Sequence, residues 1–173
     1  MKNAVLILLL GCLFCVVACK KSELEGTCQA EKDGKSWEAS LWIDRKPENS
    51  CSDCISIVMS IYSPEGFIRE ELAFANVPCE EKRFDLQIRT LSNGKDVRAY
   101  SAFSNWIGHG DQVTSLYTPI INDPNSYVEL TEIKGKCIKG KFQATLVLDP
   151  LFRDANPSLP DTVVFKNGVF EVN

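Results

Sequence analysis

Ser36-Trp37-Glu38-Ala39-Ser40-Leu41-Trp42-Ile43 is the stretch that decides the fold class. Polar and apolar side chains alternate one for one, the period of a strand with one buried and one wet face. Trp37, Ala39, Leu41 and Ile43 share the apolar face, and Trp42 points the other way with Glu38 and Ser40. The pattern repeats outward in both directions. Upstream, residues 27–31 read as a short strand, joined through the hairpin signal Asp33-Gly34. Downstream, a polar loop with Pro47, Glu48 and Asn49 leads to residues 55–62, with Ile55, Ile57, Met59 and Ile61 on one face. Ser63-Pro64-Glu65-Gly66 turns the chain. Leu72 and Phe74, then Phe84, Leu86 and Ile88, mark two more strands. Ser92-Asn93-Gly94-Lys95 joins the last of these tightly to 97–103 as a hairpin, and further strands follow at 113–118, 127–133, 142–148 and 162–172. Asn167-Gly168 reads as a hairpin tip or as a bulge inside one bent strand, the few residues after it favouring the bulge. No stretch carries a helical period. Nine or ten antiparallel strands imply an all-β fold, expected as a two-sheet sandwich with a lipocalin-like barrel as the alternative.

The amino terminus reads differently. Lys2 precedes an apolar run that begins at Ala4 and ends in Val16-Val17-Ala18-Cys19, the pattern of a bacterial lipoprotein signal. The run is too short, and too soon followed by Lys20-Lys21, for a stable membrane span. Leu9-Leu10-Gly11-Cys12 is a competing cleavage site, but its apolar core is short and it would leave Leu13, Phe14, Val16 and Val17 on the mature protein. An ordinary secretory signal without lipid is the other alternative. We expect a signal peptide over 1–18, a lipidated tether over 19–26 with the acyl chains on Cys19, and a single all-β domain over 27–173. Several acyl chains hold a protein stably at a membrane where one does not. Lys20 follows the lipidated Cys, which by resemblance to lipoprotein sorting rules places the protein at the outer membrane, its leaflet undetermined.

The formal charge of −4 describes a mildly acidic chain, which argues against a nucleic-acid partner. Of eight cysteines, Cys12 and Cys15 leave with the signal and Cys19 is lipidated. Cys28, Cys51, Cys54, Cys79 and Cys137 remain, and outside the cytoplasm disulfides are their default. The count is odd, so one stays unpaired, and we expect Cys51 or Cys54 to meet a loop cysteine such as Cys79. Cys51-Ser52-Asp53-Cys54 has redox spacing, but strand chemistry follows where a redox pair needs a helix, so a structural bridge is the reading. A zinc site would need a second close ligand pair, which Cys79, Cys137 and His109 do not supply.

Catalytic patterns are thin. His109 in Gly108-His109-Gly110-Asp111 is the sole histidine, and no Gly-x-Ser-x-Gly elbow accompanies it. Glu70-Glu71 and Glu80-Glu81 are adjacent pairs, which on a strand face opposite ways and cannot flank one sugar bond; solvated edges or turns are their expected places. No phosphate cradle is present, and Asn122-Asp123-Pro124-Asn125 is too short for a calcium loop. We therefore expect no enzyme, no metal and no cofactor. The exposed aromatics Trp42, Trp106 (read as a loop residue) and Tyr100 are the candidate ligand contacts, suited to a sugar ring or an apolar partner. Lys134, Lys136, Lys139 and Lys141 read as edge protection. Residues 149–161, with Pro150, Pro157 and Pro160, form the longest irregular stretch, and any site is expected where it meets the Trp106 segment.

Asp33-Gly34-Lys35-Ser36-Trp37-Glu38-Ala39 near the start is similar to a recurring opening in small secreted lipoproteins of Bacteroidota. Ile133-Lys134-Gly135, Gly140-Lys141-Phe142 and Val164-Phe165-Lys166-Asn167-Gly168-Val169-Phe170 resemble their ends. The resemblance implies an all-β domain, sandwich-like or lipocalin-like, and brings no catalytic residues. The expected role is a lipid-anchored, non-catalytic binding or interaction module of the envelope, its partner a glycan, a small ligand or a protein. A purely structural envelope lipoprotein, a small-ligand carrier and a hydrolase are the alternatives.

Overall fold

The computed structural model describes residues 23–45, 51, 53–87, 91–92, 95–96, 98–120, 123–155 and 157–172. The signal segment, Cys19, the Pro47-Glu48-Asn49 loop, Ile88 and the Asn93-Gly94 turn lie outside them. Alternation becomes strand throughout: β1 Glu23–Lys32, β2 Lys35–Asp44, β3 Cys54–Tyr62, β4 Ile68–Pro78, β5 Arg83–Asp85, β6 Leu91–Ser92, β7 Lys95–Asp96, β8 Tyr100–Ile107, β9 Gln112–Pro119, β10 Tyr127–Lys134, β11 Cys137–Leu148 and β12 Thr162–Val172. β1 thus begins at Glu23, inside the 19–26 segment.

One sheet of ten strands runs β12-β1-β2-β3-β4-β8-β9-β11-β10-β5, and β12 also pairs with β11. Eight of these strands therefore close into an antiparallel barrel, with β10 and β5 added outside. This corrects the sandwich expectation in favour of the barrel. A sandwich needs two sheets with edges, whereas β12 lies between β1 and β11 and leaves the ring none there. β11 is shared along one edge: its residues 137–143 pair with β10 and its residues 146–148 with β9. The unpaired flank of β9 is capped by the Asp149 N–H, which donates to Leu116 O at 2.8 Å. A short helix, α1 (Pro150–Ala155), follows in the stretch read as irregular. Asp149 starts it, its carboxylate accepting the Leu151 N–H at 2.9 Å, with Pro150 in the first turn, where no N–H is needed.

Aromatic rings fill the barrel interior. Trp37 meets Phe165 edge-on at 5.1 Å, and Phe165 meets Phe103 at 5.2 Å. Phe142 touches Phe74, Phe165 and Phe170, and Phe103 lies beside Tyr117. All are buried. Eight strands leave an interior about as wide as side chains can fill. Small inward residues make the room: Gly140 stands directly opposite Phe170 across β11–β12, and Phe142 directly opposite Gly168. A Cβ on Gly168 would lie 2.5 Å from the Phe142 ring, and one on Gly140 would lie 2.2 Å from Phe170.

Register shifts bend the strands into the ring, one of them between Asn105 and Trp106 against β9. In β12, Asn167 takes a left-handed φ of 53° where the register against β1 and β11 shifts, as the sequence suggested. In β4, Asn76 does the same at φ 56°, where Ile55 pairs with Val77 but Ile57 with Phe74. Another shift separates Ile61 from Tyr62 against β4.

The hairpins β1–β2, β3–β4 and β8–β9 and the β11–β12 connection gather at one end of the barrel, where Asp33 N–H donates to Val164 O and Arg69 to Gly108 O. Lys32, Trp37 and Glu70 close that end from inside. Glu70 accepts the Trp37 indole N–H at 2.7 Å and pairs with Lys32 at 2.5 Å, and the Lys32 ammonium lies 5.1 Å from the Phe103 ring centre. The opposite end holds the β2–β3 and β4–β8 connections.

Candidate functional site on the outer barrel face

With the interior filled, the outer face is where side chains meet solvent. Register defines it. Glu25, Trp42, Val58, Ala73 and Ala102 form one row across β1, β2, β3, β4 and β8. Thr27, Ser40, Ser60, Glu71 and Ser104 form the next. Tyr62 lies two residues beyond Ser60 on β3, so its ring stands on the same face and is 43 % exposed. Trp42 and Tyr62 flank a groove of about 440 Å³ that Glu25, Gly26 and Ser40 also line. Two rings, a hydroxyl and a carboxylate thus surround one concavity of ligand size.

Glu71 lies beside this groove. Its carboxylate accepts from Ser60 Oγ at 3.5 Å. Burial raises its pKa above the ordinary glutamate value, and the Ser60 hydrogen bond pulls it partly back. Further along, the Trp106 indole N–H donates to Ser104 Oγ at 2.8 Å, which ties the ring to the outer face.

The three sequence-chosen aromatics share this face without converging, and all three are half-buried rather than exposed as expected. Trp42 is on β2. Tyr100 opens β8, opposite Ala75, and Trp106 stands near the other end of the same strand. Trp106 is therefore a strand residue and not a loop residue, because its segment pairs with β9 through Val113. Three strand spacings, roughly 14 Å, separate Trp42 from β8. Tyr62, which sequence reasoning passed over, is the ring that lines the groove with Trp42, from four residues along β3 beyond Val58, the direct partner of Trp42. Its signal was present: Ser60 and Tyr62 alternate with the inward Ile57, Met59 and Ile61.

The other singled-out residues have definite places. Glu70 and Glu71 do face opposite ways, but neither is the solvated edge expected: Glu70 is ion-paired in the barrel mouth and Glu71 is half-buried outside. His109 is exposed, its ring edge-on to Phe67 at 4.9 Å. Asp123 is a turn-maker: it accepts the Asn125 N–H at 3.0 Å and the Ser126 hydroxyl at 2.6 Å, and these bonds lower its pKa. Lys134 pairs with Glu132 and Lys139 with Glu171. The 149–161 connection and the β8–β9 hairpin do lie at the same barrel end, but the groove opens on the side wall.

The cysteines correct the expected pairing. Cys51 and Cys54 bridge each other, while Cys28, Cys79 and Cys137 are free thiols. Cys79 stands opposite Asp53, its N–H donating to Asp53 O, and Cys54 stands opposite Pro78. Adjacent positions on a strand face opposite ways, so Cys79 points away from the Cys54 sulfur. Cys28 is buried inside the barrel, where desolvation raises its thiol pKa to about 12.

Among the described residues no three His, Cys, Asp or Glu side chains are placed to hold a metal. No family model, no curated protein and no solved structure matches this chain.

Proposed function

We propose that this protein is a non-catalytic binding module of the bacterial envelope, held at the outer membrane by lipid on Cys19, that takes a polyhydroxylated ligand such as a glycan on its outer face. The groove between Trp42 and Tyr62 carries the reading. Aromatic faces stack on the apolar face of a sugar ring, and Ser40 and Glu25 offer partners for its hydroxyls. The filled interior supports an outer-face binder over a carrier with an internal chamber. It equally suits the second reading, a purely structural envelope lipoprotein.

A panel of neutral and acidic oligosaccharides, titrated against tryptophan fluorescence and calorimetry, separates the two. The binding module predicts at least one saturable binder, weakened tenfold or more by Trp42→Ala and by Tyr62→Ala and barely changed by Trp106→Ala. Silence across the panel in a folded protein favours the structural role. The anchor is tested separately: Cys19→Ala should move the protein from the membrane fraction to the soluble one, and full retention with lipid would sink the lipoprotein reading.

A further inference from the structure

At the barrel end opposite the hairpins, the Cys51–Cys54 bridge lies in a second groove of about 450 Å³, lined by both cysteines together with Lys82, Arg83 and Arg98. The two sulfur-bearing residues are unequal. Cys51 is exposed, whereas Cys54 is 1 % exposed. An attacking thiol therefore has one sulfur to reach, and the leaving sulfur is held inside the protein.

The loop is clamped by a strained residue. Asn76, 4 % exposed and left-handed near the end of β4, accepts the Cys51 N–H on its side-chain oxygen at 3.0 Å. The Cys54 N–H returns to Cys51 O at 3.2 Å. Strained backbone persists where the surrounding structure enforces it, and it concentrates at functional sites. No helix N-terminus follows the motif, which is why its sequence read as structural. Cations stabilise a thiolate as well as a helix dipole does, and three of them line this groove. Arg83 is fixed there, stacked 3.9 Å over the Tyr127 ring and donating to Pro124 O at 2.7 Å. Asp85, 3.5 Å from Arg83, is the opposing carboxylate in the groove.

We propose that Cys51–Cys54 is an exchangeable dithiol–disulfide couple that accepts two electrons from anionic thiols drawn to this cationic groove. A thiolate attacks Cys51 Sγ, the Cys51–Cys54 bond breaks, and its electron pair leaves on Cys54 Sγ, which takes up a proton. A second thiol of the same chemistry attacks the mixed disulfide and releases Cys51 as a thiolate. The two incoming thiols end as one disulfide and the protein as a dithiol. This chemistry is independent of the Trp42 groove and stands or falls without it.

Reduced glutathione, an anionic thiol, and β-mercaptoethanol, an uncharged one, are the probes for the full-length protein. Thiols are trapped by alkylation and mapped by mass spectrometry, with circular dichroism following the fold. The proposal expects glutathione to open the bridge while the barrel stays folded. It expects Cys54→Ser to accumulate a glutathione adduct on Cys51. It also expects Lys82→Gln with Arg98→Gln to slow glutathione several-fold more than β-mercaptoethanol, whose thiolate carries one charge fewer. A wild-type bridge that opens only on unfolding overturns it without recourse to any variant. So does an adduct found elsewhere than Cys51, or charge variants that slow both thiols alike.

Discussion

Glu70 and Glu71 are adjacent in the chain and belong to different environments. Strand geometry sends Glu70 into the barrel mouth, where Lys32 and Trp37 satisfy it, and Glu71 to the outer face, where Ser60 is its hydrogen-bond partner. The opposite facing was legible from the period of two. The partners were not, because Lys32 and Glu70 meet only once β1 and β4 belong to one ring. For Glu71, the folded state holds the proton more tightly than the unfolded chain does. Stability therefore falls as pH rises from the unfolded value through the raised folded one. The penalty is complete above that window and absent below it. Glu71→Gln should raise the melting temperature at neutral pH and leave it unchanged near about pH 3. An equal gain at both pH values would assign the effect to packing instead. Asn76 and Asn167 show the same limit of local reading. The bulge at Asn167 was announced by the glycine that follows it, while Asn76, with no glycine beside it, looked like ordinary strand.

At the scale of elements, alternation located nearly every strand, since the period of two is written in consecutive residues. The exceptions are instructive: the expected hairpin between the Phe84 strand and 97–103 does not form, because β5 pairs with β10 and β8 with β4 and β9, and only the short β6 and β7 pair across that turn. Residues 149–161 read as irregular because Pro150, Pro157 and Pro160 dominate them, yet Asp149 and Pro150 are a helix start and α1 follows. The pairing of β11 with β12 explains why Gly140, Phe142, Gly168 and Phe170 recur together at the chain's end: each glycine is the seat of the partner strand's ring. Phe142→Ala should cost about 3–5 kcal/mol, read by urea denaturation. Gly168→Ala alone should cost about 1–3 kcal/mol by driving a methyl into the Phe142 ring. The two together should cost clearly less than their sum, because the alanine methyl enters space the ring has vacated. Strict additivity would mean that ring and glycine do not share that space.

Nothing local distinguishes a barrel from a sandwich; what decides is whether the first strand finds the last. Gly26 pairs with Val172 across almost the whole chain, and no residue near either end announces it. The choice of Cys54 over Cys79 as the partner of Cys51 was hidden too, since it follows from the β3–β4 register, which sets Cys54 opposite Pro78 and turns Cys79 the other way. The groove was hidden as well, since Trp42 and Tyr62 come to line it together only through the β2–β3 register. Deleting 162–173 removes β12 and bares the facing edges of β1 and β11. The truncated protein should lose its cooperative melt and become protease-sensitive along its length; a truncated chain that melts as sharply as the intact one would show that the ring is not one cooperative unit. Closure by 162–172 also sets an order of events: until that strand has paired on both flanks, β1 and β11 keep open edges, so sealing the ring waits on the strand that lies farthest along the chain.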